Sequence, residues 1–448
     1  MKKIAKFLIV LGMMGQLSSC DYLDIVPDER AQESDTWKTE GAVRGYLYSC
    51  YGYLPANRTF GNSYWLAEEL TAVTKELFTT FKYGYYSPVS LGFTSNTWST
   101  IWNGIHQCYM FQESLKQVSN EYVTDEMKKQ YLAESNFLIA YYHFLSMRSY
   151  GPTMIIRSVI DLETPISGFP ERSSIDEVVA FINEKLDEAM SEGGLPTTWS
   201  GKDYGRATRL AALALKSRVY LYAASPLYNG NTEMYADFRS PLDGRQLIAQ
   251  EKSQAKWEIS ATQTKYAIDE VEKAKFHLYH DADAGEPSDA KPGLPNKAQR
   301  RLRYTNIDNQ TGNNPEIIWA DTRNDDYYGI QRRCPPRQTL GGKFAGISMT
   351  NCPTLQTIEA FYTKNGLPIN KDKTFDYDER YEYISAPENC DGNNYEDLVK
   401  YANFTPSSDK VMRLCTDREP RFYAWTTYHN GYFEFGKYNN EEISADPA

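Results

Sequence analysis

Histidine is scarce, with five residues in a chain of 448: His106, His143, His277, His280 and His429. None falls in an HExxH pair, no CxxC occurs, and neither a phosphate-cradling P-loop nor a GxSxG elbow is present. Zinc, nucleotide and serine-nucleophile chemistry of those motif-borne kinds is thereby excluded. His277 and His280 are close enough in sequence to share a metal, yet spacing places no third ligand, so a solvated helix end is the plainer reading. Positive charge is also short. Lys plus Arg number 48 against 59 Asp plus Glu, a net charge of −11 and a pI near 5.2. Phosphate-backbone binding needs a basic face, so nucleic acid is not the expected partner. Long apolar runs are missing too, and no segment has the twenty or so consecutive apolar residues of a membrane-spanning helix.

The longest apolar run, Phe7 to Met14, follows Lys2, Lys3 and Lys6, the order of a signal-peptide n-region and h-region. Leu17-Ser18-Ser19-Cys20 follows and resembles a bacterial lipobox, in which cleavage before the cysteine exposes it for acylation. Residues 1–19 are therefore expected to be a signal peptide. Residues 20–36 are expected to be a polar tether, with Cys20 lipidated and several acyl chains holding the protein on a membrane. Six cysteines remain, and 15 pairings are open to them. Cys50 and Cys108 sit on apolar helix faces and read as buried thiols, whereas Cys334 and Cys352 flank a Gly-rich loop and form the candidate disulfide.

Aromatic residues are abundant: 35 Tyr, 19 Phe and 8 Trp in a chain of mean hydropathy −0.59. That load implies wet aromatic surfaces as well as core. The stretch from Gly205 to Gly230 is the expected centre of the architecture. It carries Leu210, Leu213, Ala214, Ser217 and Leu221 at helical spacing, is capped by Thr208 and stopped by Pro226, and its many alanines allow neighbours to approach closely. Other helices are expected from a cap at Asp35 through Val43, Leu47 and Cys50, from Thr97 through Ile101, Ile105 and Cys108, and from Asp125 to Tyr150, where Gly151-Pro152 stops the chain. Ser174 and Glu177 form a capping box for a helix striped with Ile175, Val178, Ile182, Leu186 and Ala189. A further helix is expected around Trp257, Ala261, Ile268 and Val271. Helices in pairs with small and aromatic contact residues give a mostly α fold of stacked, tetratricopeptide-like units over residues 37–280.

Beyond His280 the composition turns polar and rich in Gly, Pro, Asp and Asn, so residues 281–448 read as a loop-rich half with a few short strands. Expected there are a strand at Ile317-Ile318-Trp319, a short helix from Pro353 to Tyr362 and a hairpin around Asn430-Gly431 flanked by Arg421–His429 and Tyr432–Lys437. Asp281-Ala282-Asp283-Ala284-Gly285-Glu286 approaches a calcium loop, but its Gly comes one place early and an acidic ligand is missing. It is read as loop, and no metal or other cofactor is expected.

The segments CDYLDIVP, AESNFLIAYYHFLSMRSYGP, RSSIDEVVAFINEKLDEA, GRATRLAALALKSRVYLYAASP, NNPEIIWA, CPTLQTIEAFYTKNGLPI and DREPRFYAWTTYHNG occur in that order. Together they resemble the SusD/RagB family of Bacteroidota outer-membrane lipoproteins. The resemblance implies a tetratricopeptide-like half, a looser half with ligand loops, and a place at the cell surface. Such proteins serve as the lid of a SusC-like, TonB-dependent channel, capturing glycans or, in some members, peptides. Family members usually continue past the DPRFY-like segment with further helices, so this chain is expected to lack that part of the stack.

Glycan capture needs flat rings to stack on sugar C–H faces and fixed partners for hydroxyls, not a catalyst. Tyr83, Tyr85 and Tyr86 in the first aromatic loop offer that combination. So do Trp319, Tyr327 and Tyr328 with Asp325 and Asp326 in the second, and core packing is the competing reading for each ring. A glycosidase would need two carboxylates about 5 to 9.5 Å apart across a cleft, and the adjacent Asp325 and Asp326 point differently. A binding protein rather than an enzyme is therefore expected. A helical-repeat interaction protein without a small ligand, or a non-functional truncated product, is the remaining alternative.

Overall fold

A computed structural model of the chain describes residues 37–55, 69–72, 87, 95–161, 163–280, 283, 297–307, 314–323, 351–384 and 411–428. Helices α1 (Glu40–Tyr51), α2 (Ser95–Leu115), α3 (Asp125–Tyr150), α4 (Ile175–Ala189), α5 (Arg209–Ala224) and α6 (Gln254–Lys273) pack each on the next in chain order. The result is the stack of helix pairs anticipated from the sequence, with one continuous core running from Val43 to Ile248.

Local chemistry sets the helix starts. Thr39, Thr124 and Thr208 each accept a hydrogen bond from a backbone N–H of the first turn, and Ser174 with Glu177 completes the capping box. The cap of α1 is thus Thr39, four residues beyond the expected Asp35, because its hydroxyl reaches the Ala42 N–H at 3.2 Å. All five stripe residues of α4 are buried as expected.

The centre of the stack is α3 rather than the 205–230 stretch. Phe137, Leu138, Ile139, Ala140, Tyr142 and Phe144 are fully buried, which requires neighbours on nearly every side; α1, α2, α4 and α5 supply them. Each such side chain contributes about 1.5–3 kcal/mol by leaving water. Of the stripe expected on α5, Leu210 and Leu213 are buried, but Leu221 is 49% exposed, and Ala211, Ala212, Leu215, Val219 and Ala223 add a second buried face toward the core. In α6 the inward residues are Ser260 and Ala267, and Ile268 is 47% exposed. In both helices small side chains let the backbones close up, with Ser217 Oγ and Thr264 Oγ1 hydrogen bonded across the seam at 2.7 Å. The expected stripe of α5 thus reaches the seam at Ser217, whereas Ala261 and Ile268 of the stripe expected on α6 face solvent.

Helices α2 and α3 approach closely at Gly104. A Cβ on Gly104 would sit 2.6 Å from the Tyr142 ring, whose hydroxyl donates to the Cys50 carbonyl of α1. One glycine lets one tyrosine span three helices.

The later part of the chain is less regular, and it departs from the sequence reading in several places. Helix α7 (Lys297–Ile307) lies inside a stretch expected to be loop, and its Arg303 and Gln299 donate to the carbonyl oxygen of Tyr423. Residues 317–319 form no strand, because the Trp319 side chain turns into the helical stack and the backbone bends with it. Arg421 belongs to the helix α9 (Pro420–Trp425), started by a proline in its first turn, so the first arm of the expected hairpin is helical at its beginning; residues 429–437 lie outside the described residues. The helix α8 (Leu355–Ala360) is present, capped by Thr354. His277 and His280 lie beyond the end of α6, stacked 5.1 Å apart.

Three antiparallel two-stranded ladders stitch the parts together. β1 (Leu70–Ala72) pairs with β4 (Asn351–Pro353), β2 (Thr153–Met154) with β3 (Arg172–Ser173), and β5 (Tyr383–Ile384) with β6 (Val411–Met412). Cys352, on β4, carries a free thiol, and Cys334 lies outside the described residues. Cys50, Cys108 and Cys415 are buried free thiols.

Arg418 organises the later half. Its guanidinium is buried and donates to the carbonyl oxygens of Leu414, Ile358 and Phe361 at 2.6, 2.7 and 2.7 Å, with Phe422 beneath it. Burial lowers its pKa from the usual guanidinium value.

Candidate functional site

A cleft of about 680 Å³ opens where the end of α1, the middle of α3, the turn before α5 and the 319–323 segment meet. The floor is built first. Tyr51, at the end of α1, donates to Glu134 Oε2 of α3 at 2.7 Å and accepts from the Ala207 N–H at 2.9 Å. Arg206 Nε donates to the same carboxylate at 3.2 Å and its Nη1 to Asp203 at 2.8 Å, while its guanidinium lies 4.1 Å from the Trp199 ring centroid. These contacts fix the turn before α5 against α1 and α3.

The 319–323 segment then closes one side. Trp319 Nε1 donates to the Gly205 carbonyl at 2.8 Å, and its ring meets Phe137 and Tyr141 edge-on. Gly205 permits this approach. Its φ is +97°, and a Cβ there would come within 2.7 Å of Thr322. Arg323 completes the wall, donating through Nη1 and Nη2 to the carbonyls of Leu54 and Pro55, both at 2.9 Å, and through Nε to Asp321 at 2.8 Å.

What faces the opening is aromatic and cationic. Tyr48, Tyr141 and Tyr204 line it, and no hydrogen bond to their hydroxyls is found among the described residues. Burial raises the pKa values of Tyr48 and Tyr204, so both phenols stay protonated donors at neutral pH. Tyr141, Leu145 and Arg148 share one face of α3 at i, i+4, i+7 spacing, and Lys202 and Arg218 add two more cations. Asp321 is the one carboxylate among the described lining residues and is held by Arg323. Among the described residues no group of three His, Cys, Asp or Glu side chains could hold a metal ion.

Of the residues singled out from the sequence, Trp319 lies in this cleft, as part of its wall rather than as a free platform. Tyr83, Tyr85, Tyr86, Asp325, Asp326, Tyr327 and Tyr328 lie outside the described residues, as do Cys20 and most of the Asp281–Glu286 stretch. Asp283 is described, and its carboxylate accepts from the His280 N–H at 2.7 Å. The sequence reading missed Tyr48, Tyr141, Tyr204, Arg148, Arg206 and Arg218. One signal was available: Arg148 and Tyr141 interrupt the otherwise apolar face of the most buried helix, and a cation there needs an opening beside it.

Two family models match the chain. The one described as starch-binding associating with outer membrane, SusD-like_3, covers residues 21–221, and that of the SusD family, SusD_RagB, covers residues 315–446. The solved structure of BT4246 superposes with a TM-score of 0.69 at 29% identity, covering 88% of this chain and 66% of that one. A SusD-like protein (BF3747) from Bacteroides fragilis NCTC 9343 superposes with a TM-score of 0.59 at 20% identity, over 88% of this chain and 61% of that one. This chain thus spans just under two thirds of the length of the structures it matches. No protein of curated function matches it. The fold is that of a SusD-like, tetratricopeptide-type helical protein. The chain belongs to the SusD/RagB family.

Proposed function

We propose that this is a cell-surface nutrient-binding lipoprotein that captures a glycan and delivers it to a SusC-like, TonB-dependent transporter of the outer membrane. The cleft between α1, α3 and α5 carries the reading: rings with unspent hydroxyls, Tyr48 and Tyr204 foremost, stand at the rim of a space large enough for an oligosaccharide. A ring stacks on the apolar face of a sugar while its hydroxyl and the neighbouring cations take the sugar's oxygens, which is binding without bond cleavage. The family description, with its starch binding and outer-membrane association, supports the same reading. No helix among the described residues is long and apolar enough to cross a membrane, and acyl chains on Cys20 supply the anchor.

The test is binding of the purified chain to an array of bacterial, plant and host glycans, with Tyr48→Ala and Tyr204→Ala as variants. Each variant is expected to weaken binding of whatever glycan is retained by tenfold or more, about 1.4 kcal/mol. Wild-type affinity in both would remove this cleft as the ligand site. Affinity purification of the lipoprotein from outer membranes tests the partner. Recovery of a TonB-dependent channel in near-equal amount is expected, and recovery of chaperones alone would exclude it.

A further inference from the structure

The cleft is positively charged inside a protein of net charge −11. Five of its described lining residues are cations, namely Arg148, Lys202, Arg206, Arg218 and Arg323, against the single carboxylate of Asp321. Two of the five are already neutralised. Arg206 is held by Glu134 and Asp203, and Arg323 by Asp321. Lys202 and Arg218 differ: both are exposed, and neither meets a carboxylate or a hydrogen-bond acceptor among the described residues. Elsewhere on the helical stack cations meet carboxylates, as the exposed Arg157 does Glu184 and the half-buried Lys216 and Lys256 do Asp187 and Asp176. Lys216 and Arg218 are two residues apart on α5. Lys216 packs against a carboxylate of α4, and Arg218 faces the cleft with none among the described residues.

Among the described residues nothing offsets Lys202 and Arg218, and like charges gathered around a concavity repel while its walls focus their fields. An anionic ligand supplies the missing counter-charge. The phenol donors of Tyr48, Tyr141 and Tyr204 suit an anionic oxygen as well as a neutral hydroxyl, and Arg218 can hold a planar carboxylate or a sulfate through two N–H groups at once.

We propose that the ligand of this cleft is an anionic glycan, carrying uronate carboxylates or sulfate esters, with Arg218 and Lys202 as its anion contacts. The proposal rests on the reading of the cleft as the glycan site. It adds the charge of the ligand.

The experiment measures affinity of the full chain for four probes at 0.05 and 0.5 M salt: polygalacturonate, dextran sulfate, unmodified dextran and amylose. Arg218→Gln and Lys202→Gln are compared with Lys364→Gln, a surface cation far along the chain and paired with Asp417. Arg218 and Lys202 are exposed, so circular dichroism is expected to show all three variants folded. The expected result is binding of an anionic probe, weakened tenfold or more by Arg218→Gln and by high salt, and unchanged by Lys364→Gln. Preference for polygalacturonate assigns a carboxylate site, and preference for dextran sulfate a sulfate site. Equal affinity for dextran or amylose, indifferent to Arg218→Gln, would overturn the proposal while leaving the glycan site standing. Equal weakening by Lys364→Gln would show a diffuse polyelectrolyte effect and overturn it as well. No binding of any probe, together with an empty glycan array, would overturn both this proposal and the glycan reading beneath it.

Discussion

Arg206, in the turn before α5, and Glu134, in the middle of α3, form a buried ion pair 72 residues apart in sequence, with Nε to Oε2 at 3.2 Å and the carboxylate wholly removed from solvent. Burial raises the pKa of Glu134, against the opposing pull of Arg206 and the Tyr51 hydroxyl. Burial also works against the charge of Arg206, but the bond to Glu134 overcomes it and holds that guanidinium above its ordinary value. The pair is therefore charged and mutually dependent. Arg206→Met leaves the carboxylate alone and is expected to destabilise the fold by about 3–5 kcal/mol in urea unfolding, whereas Arg206→Met with Glu134→Leu recovers most of that loss. A single variant as stable as the parent would show that the pair contributes nothing.

Gly104→Ala is expected to cost about 1–3 kcal/mol, because the new methyl meets the Tyr142 ring at 2.6 Å in a core that cannot shift far. In a Tyr142→Leu background the same substitution is expected to cost much less. Thermal unfolding of the four proteins in this cycle measures the coupling directly.

His143 is fully buried in α3. Its Nδ1 lies 2.8 Å from the Ile139 carbonyl and its Nε2 accepts from the Ile156 N–H, an arrangement that fits only the neutral ring protonated at Nδ1. Burial lowers its pKa from 6.5 to about 4. Above pH 6.5 neither the folded nor the unfolded chain carries this proton. Between 6.5 and 4 the unfolded chain takes it up and the folded one does not, so stability falls with falling pH by about 3 kcal/mol in total and levels off below 4. His143→Gln, whatever its baseline stability, is expected to lack that part of the slope. Identical pH profiles for the two proteins would contradict this account.

Arg418 ties α8 to the 413–415 turn through carbonyl oxygens and meets α9 through the Phe422 ring. Arg418→Met is expected to leave those carbonyls unsatisfied and to destabilise the later half by about 3 kcal/mol. Arg418→Lys should recover only part, since one ammonium cannot reach all of the carbonyls. Limited proteolysis near residues 351–384 reports the difference, and no added cleavage in Arg418→Met would refute it.

The helices were legible because their signals are local. Ser174, Thr208, Gly151 and Pro226 mark ends by chemistry that acts within a few residues, and the buried residues of α4 recur at the helical period. The central role of α3 was not legible, since a helix buried on nearly every side carries no periodic stripe to read. The face of α6, and the Leu221 end of that of α5, were misassigned because the contact is made by small residues such as Ser260, Thr264 and Ala267, which a hydrophobic count overlooks. The cleft was harder still. Trp319 was singled out as an aromatic near the ligand loops, but its neighbours in space are Tyr48, Tyr141 and Arg206, placed there by a fold that joins four distant segments. Charge complementarity between Arg206 and Glu134 leaves no mark at that separation.

Arg323 grips the carbonyl of Leu54 across 269 residues of chain. A wall fastened over that distance has a history: a chain emerging from its N-terminus presents α1, and later α3 and α5, long before residue 323 follows. Loop closure over such a span comes late, after the local helix pairs have formed. The cleft is accordingly among the last features to exist, so a partly folded chain would have its helices in place and no closed pocket between them.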